Sequence, residues 1–212
     1  MKKISTQQQI FWSGGFGKGY NDRNTFTVKG FDAFYKKTWG TTRTAMNKLF
    51  LSKLAIRNTL EVGANFGLQL RHLQQSGFEN LYGIEIQQDA VERSKKITKG
   101  VNIIQGSAFD LPFKNAYFDL VFTSGVLIHI HPKHLKNAIR EMVRCSKKYL
   151  WGFEYFNETE QEIPYRGNRN VLWKNNFPKL FLTYAPKLKL VKMKFYKYTD
   201  STNRDVMYLF KK

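Results

Sequence analysis

From residue 58 onward, short apolar segments alternate with amphipathic ones, which is typical of a parallel α/β sheet. The last two apolar segments are joined by the polar turn TDSTNRD and predict an antiparallel hairpin at the edge of that sheet. The predicted strands are 58–62, 81–86, 101–106, 118–124, 147–156, 188–198 and 205–211. The predicted helices are 67–76, 87–98, 132–146 and 168–183.

Residues 1–57 precede the first predicted strand and predict a helical cap or lid, with 58–212 forming the main domain. Residues 42–57 carry apolar side chains at helical spacing and predict an amphipathic helix packed on the sheet. Residues 11–24, FWSGGFGKGYNDRN, combine glycines with aromatic residues. They form either a flap that closes over a ligand and excludes water or an arm whose rings fill the core.

The most informative stretch is TLEVGANFGLQL at residues 59–70. Its first residues suit the end of a buried strand, residues 63–67 form a small-residue turn, and the rest continues as a helix. A helix that opens from such a turn directs its partially positive N–H groups at a ligand. A dinucleotide fingerprint would need glycine at Asn65 and Leu68, so the turn does not predict dinucleotide binding.

Two acidic residues stand close to this turn in the predicted fold. Glu61 lies on the preceding strand, where it would repel a pyrophosphate but can accept hydrogen bonds from an ammonium group. Glu85 ends the second strand about 20 residues past the turn, where a carboxylate can bind both hydroxyls of a ribose. A ribose with a cationic amino-acid tail and no phosphate describes S-adenosylmethionine, which the sequence therefore predicts as the cofactor.

These features and NIIQGSAFDLPFKNAYFDLVFTSGVLIHIHP at 102–132 resemble the class I S-adenosylmethionine-dependent methyltransferases over residues 59–145. A narrower resemblance adds residues 11–24, GVLIHIHP and residues 163–178, and is to the methylases associated with pseudaminic acid biosynthesis. It implies an α/β, doubly wound, mostly parallel seven-stranded Rossmann-like sheet with an antiparallel edge strand and an N-terminal helical cap. It also favours a cofactor lid at residues 11–24, with Tyr20 and Arg23 reaching the site.

The resemblance further implies an adenine loop at GSAFDLPF, where Ser107 stands in the place of a frequent family aspartate. Its hydroxyl can still accept a hydrogen bond, Asp110 can compensate, and Phe109 can cover the adenine ring. Residues 123–125 are expected to face the methionine part of the cofactor. The predicted cofactor-binding residues are Tyr20, Glu61, Gly63, Ala64, Asn65, Gly67, Glu85, Ile86, Ser107, Ala108, Phe109 and Ser124.

His129 and His131 follow the fourth predicted strand, whereas His72 and His134 are predicted on helix surfaces. A histidine whose pKa lies near neutrality can remove a proton from an attacking hydroxyl or amine. The alternative is that these rings bond the turn or cap the next helix. His129 is the candidate catalytic base. No metal site is expected, because the chain has neither paired cysteines nor H-x-x-x-H spacing.

After the fifth strand, PYRGNRNVLWKNNF is polar, basic and aromatic, a composition suited to an anionic carbohydrate. Arg166 can bind a carboxylate through two parallel N–H bonds, while Tyr165 and Trp173 offer flat faces for a sugar ring. The alternative is an ordinary surface loop and helix.

The formal net charge of +19 is spread along the chain and predicts a solvated basic surface or attraction to an acidic substrate. RNA binding is the alternative. The single cysteine, Cys145, fits a reducing cytoplasm. MKKISTQQQIFW lacks the apolar core of a signal peptide, and no run has the length of a membrane span. We therefore expect a soluble cytoplasmic protein.

Methyl transfer from a sulfonium depends mainly on alignment and exclusion of water, because the leaving group is built into the donor. The predicted function is methylation of an O or N atom of a small anionic metabolite, with nonulosonic-acid sugars implied by the resemblance. One alternative is an RNA methyltransferase, although TSGV occupies the place of the N/D-P-P-Y/F tetrad. Another is a methylase-like binding or scaffold protein without turnover, because the adenine-loop aspartate and the middle glycine are missing. The oligomeric state stays open.

Overall fold

The computed structural model describes residues 5–212, so residues 1–4 of the predicted cap lie outside it. Its strands are β1 (Asn58–Val62), β2 (Asn80–Glu85), β3 (Val101–Gln105), β4 (Phe118–Ser124), β5 (Ser146–Tyr155), β6 (Gln161–Glu162), β7 (Trp173–Lys174), β8 (Lys189–Lys197) and β9 (Arg204–Lys211). Its α-helices are α1 (Gln7–Ser13), α2 (Gly15–Arg23), α3 (Val28–Trp39), α4 (Arg43–Leu51), α5 (Leu68–Gln75), α6 (Gln88–Ile97), α7 (Pro132–Cys145) and α8 (Phe177–Tyr184).

A seven-stranded sheet has the order β3-β2-β1-β4-β5-β9-β8, and β6 pairs with β7 in a separate two-stranded sheet. Strands β1 to β5 are parallel, whereas β9 runs antiparallel to both β5 and β8. The predicted fold class is therefore confirmed. The strand order reverses between β1 and β4, and ligands in doubly wound sheets bind at the carboxyl ends of the strands beside such a reversal.

Helices cover both faces of the sheet because alternate residues of the central strands point to opposite sides. Val121 belongs to the core that contains the apolar faces of α7 and α8. Its neighbour Phe122 belongs to the second core, with Tyr35 and Met46 from the N-terminal helices and residues of α5 and α6. Helices α3 and α4 thus share their core with the sheet, while α1 and α2 lie over its carboxyl edge.

Two of the predicted helices are shorter in the structure. The helix expected over 42–57 ends at Leu51, because the chain then turns into β1 through a Leu54 N–H bond to the Leu51 carbonyl. The helix expected over 168–183 begins only at Phe177. The Asn176 side chain caps it, and Pro178, which lacks an N–H, suits its first turn. The residues before it form β7 and a tight turn instead.

Two carboxyl groups are buried on adjacent strands, Glu154 on β5 and Asp205 on β9. Burial raises the pKa of Glu154 to about 7 and that of Asp205 to about 8. Burial also lowers the pKa of His72 and His129 to about 4, so these rings are neutral in the native state. The lowered histidine pKa values affect the pH dependence of stability only below pH ~6.5, where histidine in the unfolded chain gains a proton. In that range their effect has the opposite sign to that of the carboxyl groups.

We therefore expect stability to fall as pH rises from about 6.5 to 8.5. In this window the native carboxyl groups still hold protons that the unfolded chain has already lost, so each pH increment favours unfolding. Integrating the two shifts gives a loss of roughly 2–3 kcal/mol, or a decrease in Tm of about 5–10 °C. Thermal unfolding across this window should show the decline. Asp205→Asn should remove most of it, and an unchanged slope in that variant would contradict the assignment.

Candidate active site

A cavity of about 660 Å³ lies at the carboxyl ends of the strands, a size typical of small-molecule sites. The loops after four parallel strands line it, at residues 63–66, 85–87, 106–109 and 124–126. Helices α1 and α2 contribute Gln8, Gln9, Trp12 and Tyr20 to its other side. The sheet thus supplies the floor and the N-terminal helices supply the cover.

The glycine turn has a left-handed backbone at alternate positions, with φ of 78° at Gly63, 48° at Asn65 and 74° at Gly67. The Gly63 and Ala64 N–H groups donate to the Ile84 carbonyl at 2.8 and 2.9 Å, which ties the turn to β2. A Cβ on Gly63 would lie 2.5 Å from a Val126 methyl carbon. Glycine is therefore required there both by backbone conformation and by space.

Glu85 connects the glycine turn to the loop after β2. One carboxylate oxygen accepts from the Asn65 N–H at 2.8 Å and the other accepts from the Gln87 N–H at 2.9 Å. Burial raises the pKa of Glu85, and these backbone bonds oppose the rise. Each oxygen has a further lone pair, so this cavity-lining carboxylate can also accept from two hydroxyl groups of a ligand.

Glu61 lies at the floor of the cavity and is 2% exposed. Burial raises its pKa well above the usual range, and the nearby Arg43 guanidinium opposes the rise. Within residues 5–212, Glu61 Oε2 and Gln69 Oε1 are buried without a hydrogen-bond partner. Two unpartnered acceptors on the wall of one cavity fit the ammonium group of S-adenosylmethionine, which supplies three donors.

Arg43 is a fully buried residue of this region that the sequence did not reveal. It donates to Asn47 Oδ1 at 2.9 Å and to Ser124 Oγ at 3.2 Å, and its guanidinium lies 4.9 Å from the Trp151 ring centre. In sequence it is one basic residue at the start of an amphipathic helix, where a solvent-exposed cation is the usual outcome. No local signal could have identified it.

The loop at 106–109, which is predicted to surround the adenine, is in contact with the N-terminal helices. Ser107 Oγ accepts from Gln9 Nε2 at 2.8 Å and from the Phe109 N–H at 3.1 Å. Ala108 and Phe109 line the cavity, whereas Asp110 is exposed and lies outside the lining. The expectation that Asp110 compensates for a missing aspartate is therefore not supported by its position. Ile86 also lines the cavity.

The aromatic segment 11–24 forms the end of α1 and all of α2, and its rings pack on one another over the cavity. Trp12 contacts Phe16 and Tyr20 edge-to-face, with ring centres 5.4 Å apart in both pairs. Tyr20 lines the cavity, and burial raises its pKa to about 12. Arg23 lies outside the lining and places its guanidinium 5.9 Å from the Phe16 ring centre, so the expectation that it reaches the site is wrong.

Asn21 joins α2 to two of the cavity loops and is fully buried. It accepts from Asn65 Nδ2 at 2.6 Å and donates to Gln87 Oε1 at 3.0 Å. We expect Asn21→Ala to weaken S-adenosylmethionine binding about tenfold or more, because two buried polar partners lose their bonds at roughly 1–3 kcal/mol each. Calorimetry would measure this. Asp22→Ala, which removes an exposed ion pair with Arg93, should change affinity less than about twofold.

His129 lines the cavity beneath Trp12, with ring centres 4.4 Å apart. Its Nδ1 lies 2.8 Å from the Val171 carbonyl oxygen, and burial lowers its pKa to about 4. His131 instead caps α7, its Nδ1 accepting from the Lys133 N–H. His72, expected on a helix surface, is 1% exposed because α5 turns that face toward Thr44 and Asp32 of the N-terminal helices.

The predicted substrate residues lie in three different settings. Tyr165 packs against the aromatic cluster, with ring centres 5.8 Å from Phe16 and 5.6 Å from His129. Arg166, with φ of 48°, lies at the exposed tip of a two-residue turn closed by Tyr165 and Asn168. Trp173 is 4% exposed and packs against His131 outside the cavity lining, so it does not present an open face to a sugar.

Among the described residues, no three or more His, Cys, Asp or Glu side chains cluster in a way that could hold a metal ion. Over the same part of the chain, no helix combines the length and the apolarity needed to cross a bilayer.

Residues 60–149 match the family described as a methyltransferase domain. A SAM-dependent methyltransferase from Leishmania major has a similar structure, with a TM-score of 0.73 and 14% identity over 98% of this chain and 87% of that one. A chain of the complex between the Haloferax volcanii Trm112 methyltransferase activator and a putative methyltransferase has a TM-score of 0.68 and 13% identity, over 98% of this chain and 97% of that one. A putative S-adenosylmethionine-dependent methyltransferase from Listeria monocytogenes has a TM-score of 0.64 and 11% identity, over 79% of this chain and 96% of that one. These structural likenesses show the fold.

Proposed function

We propose that this S-adenosylmethionine-dependent methyltransferase methylates an O or N atom of a small anionic metabolite, within the class of nonulosonic-acid sugars. S-adenosylmethionine is the methyl donor, and when bound it supplies an electrophilic methyl group on a sulfur that departs without protonation. We assign residues 1–57 to a lid and residues 58–212 to the catalytic domain. The single buried cysteine fits the reducing cytoplasm.

In this proposal the chain's own groups hold the two ends of the cofactor. Glu61 and Gln69 accept from the ammonium group, and Glu85 accepts from the ribose hydroxyls. The glycine turn permits close approach of the ligand to the backbone. The loop at 106–109 surrounds the adenine, with Phe109 on its face. These roles rest on positions along one cavity wall and on buried acceptors that lack partners.

The observation that supports a small acceptor is the aromatic cover over the cavity. Trp12 packs on both His129 and Tyr165, and Phe16 belongs to the same aromatic cluster. The cluster therefore covers His129, which lines the same cavity as the strand-end residues 124–126. Flat rings suit a sugar ring and exclude water from the reacting atoms. Arg166 is exposed and lies outside the lining, but its positive charge acts on Tyr20 of the cavity wall, so its guanidinium can meet a carboxylate of the substrate.

An RNA methyltransferase is the second candidate, and the net charge of +19 favours it. A basic surface strengthens binding to any polyanion, and such binding weakens steeply as salt rises. The covered cavity favours the small substrate, because an RNA base would have to pass the aromatic cluster to reach residues 124–126.

The test begins with calorimetry of the purified protein with S-adenosylmethionine and with S-adenosylhomocysteine, both of which should bind at one site per chain. Labelled S-adenosylmethionine is then incubated with a metabolite extract and separately with RNA. Label in the small-metabolite fraction is expected, and it should decrease in Arg166→Ala but not in the neighbouring exposed Arg169→Ala. Label only in RNA would support the second candidate, and absence of cofactor binding would overturn the proposal.

A further inference from the structure

His129 presents one defined tautomer to the cavity. Its Nδ1 lies 2.8 Å from the Val171 carbonyl oxygen, which can only accept a hydrogen bond, so Nδ1 carries the proton and donates it. The ring is neutral, because burial beneath Trp12 lowers its pKa to about 4. A neutral imidazole has one N–H, so Nε2 is an acceptor and is the ring atom left to bond a ligand.

Both carboxylates of the cavity already have a role in the proposed function. Glu61 and Glu85 are the acidic residues on its wall within the described chain. Glu85 accepts from two backbone N–H groups, and both residues are assigned to the cofactor in the proposed function. A positively charged acceptor group would therefore meet no free carboxylate beside His129.

We propose that the methyl acceptor is a neutral hydroxyl group, held by a hydrogen bond that it donates to Nε2 of His129. This inference rests on the proposed function and specifies its acceptor atom. As the acceptor oxygen forms its bond to the methyl carbon, the carbon–sulfur bond breaks and its electron pair stays on sulfur. The hydroxyl proton passes to Nε2, which later releases it to solvent.

The basicity of His129 decides whether a hydroxyl or an amine can be the methyl acceptor. An alkyl ammonium, with a pKa near that of lysine at ~10.4, has no lone pair until a base removes its proton, and a weakly basic imidazole cannot hold that proton. A hydroxyl already has its lone pair. It becomes strongly acidic only as the new bond places positive charge on oxygen, so even a weak base accepts the proton at that stage.

The first test blocks amines in a metabolite extract with an acetylating reagent that leaves hydroxyl groups free in water. Label uptake from S-adenosylmethionine should stay within about twofold of the untreated extract. A tenfold or greater fall would overturn the inference and identify an amine acceptor. If neither the treated nor the untreated extract takes up label although the cofactor binds, the proposed small-metabolite function fails as well. That result is distinct from a decrease in label uptake caused by acetylation alone.

The second test needs no substrate. In protein with ¹⁵N-labelled histidine at pH 7, the signals of His129, identified by their loss in His129→Gln, should show a protonated Nδ1 and an unprotonated Nε2. A protonated Nε2 would overturn the inference. In turnover, His129→Gln should lower kcat about 100-fold or more while the Kd for S-adenosylmethionine changes less than about twofold, because Gln can bond the hydroxyl but cannot take its proton.

Discussion

Replacing Gly63 with alanine is expected to abolish detectable binding of S-adenosylmethionine, raising its Kd at least about 100-fold. The left-handed conformation at φ 78° costs an alanine roughly 1–2 kcal/mol. The larger effect is steric, because the new Cβ would lie 2.5 and 2.8 Å from the two Val126 methyl carbons. Val126 cannot retreat easily, since its N–H donates to the buried Glu154 carboxylate at 3.2 Å. The turn must therefore shift away from the residues that it positions.

The matched control for this prediction is Gly40→Ala, at the end of α3. Gly40 has φ of 70°, but a Cβ there would meet no atom within 4 Å. The Gly40→Ala variant should therefore show only the effect of backbone strain, which is a small decrease in Tm with unchanged cofactor affinity. In Gly63→Ala, the further change Val126→Ala should restore part of the affinity. Full affinity in Gly63→Ala, measured by calorimetry, would show that the ligand does not approach this turn.

The sequence predicted the parts of the fold and site that depend on local pattern. Strand β1, the glycine turn and α5 form one continuous segment. Its hydrophobic periodicity and the placement of its glycines can be recognised in the sequence. The positions of Glu61 and Glu85 follow from the rule that parallel strands end at one edge. The predicted start of the helix at 168–183 was wrong because apolar residues of β7 and of α8 fall within one window, and only the cap at Asn176 separates them.

The parts that the sequence could not reveal depend on contacts between distant segments. Asn21 and Asn65 are 44 residues apart, and Gln9 and Ser107 are 98 apart, yet each pair is joined by an amide hydrogen bond. Amide side chains have no periodic pattern that would mark them as buried. His72 shows the same limit, because a polar residue on α5 looks solvent-exposed until α3 and α4 are placed beside it.

These distant contacts link the helices over the cavity to the groups that we propose hold the cofactor. The Asn65 side chain donates to Asn21 of α2, and the Asn65 backbone N–H donates to the Glu85 carboxylate. Ser107 lies in the loop that we propose surrounds the adenine, and it accepts from Gln9 of α1. A change at Glu85, the proposed ligand of the ribose, should therefore affect both ligand affinity and the packing of α2. Glu85 is the residue where both effects are expected to be largest.

Glu85→Ala is expected to raise the Kd for S-adenosylmethionine about 100-fold or more and to lower Tm. Two ribose hydroxyls lose a charged partner, at roughly 1.5–3 kcal/mol for each hydrogen bond. The Asn65 and Gln87 N–H groups also lose their acceptor inside the protein. Glu92→Ala, at an exposed position on α6, is the control and should leave affinity unchanged.

A structural defect alone could also lower affinity, so the ribose contact needs a test of its own. Wild-type protein should bind S-adenosylhomocysteine at least about tenfold more tightly than its 2′-deoxy analogue, because the analogue leaves a buried carboxylate with one bond fewer. In Glu85→Ala the two compounds should bind equally, since the carboxylate that distinguishes them is gone. If the variant still prefers the hydroxylated compound tenfold, Glu85 supports the turn through Asn65 and Gln87 and some other group binds the ribose.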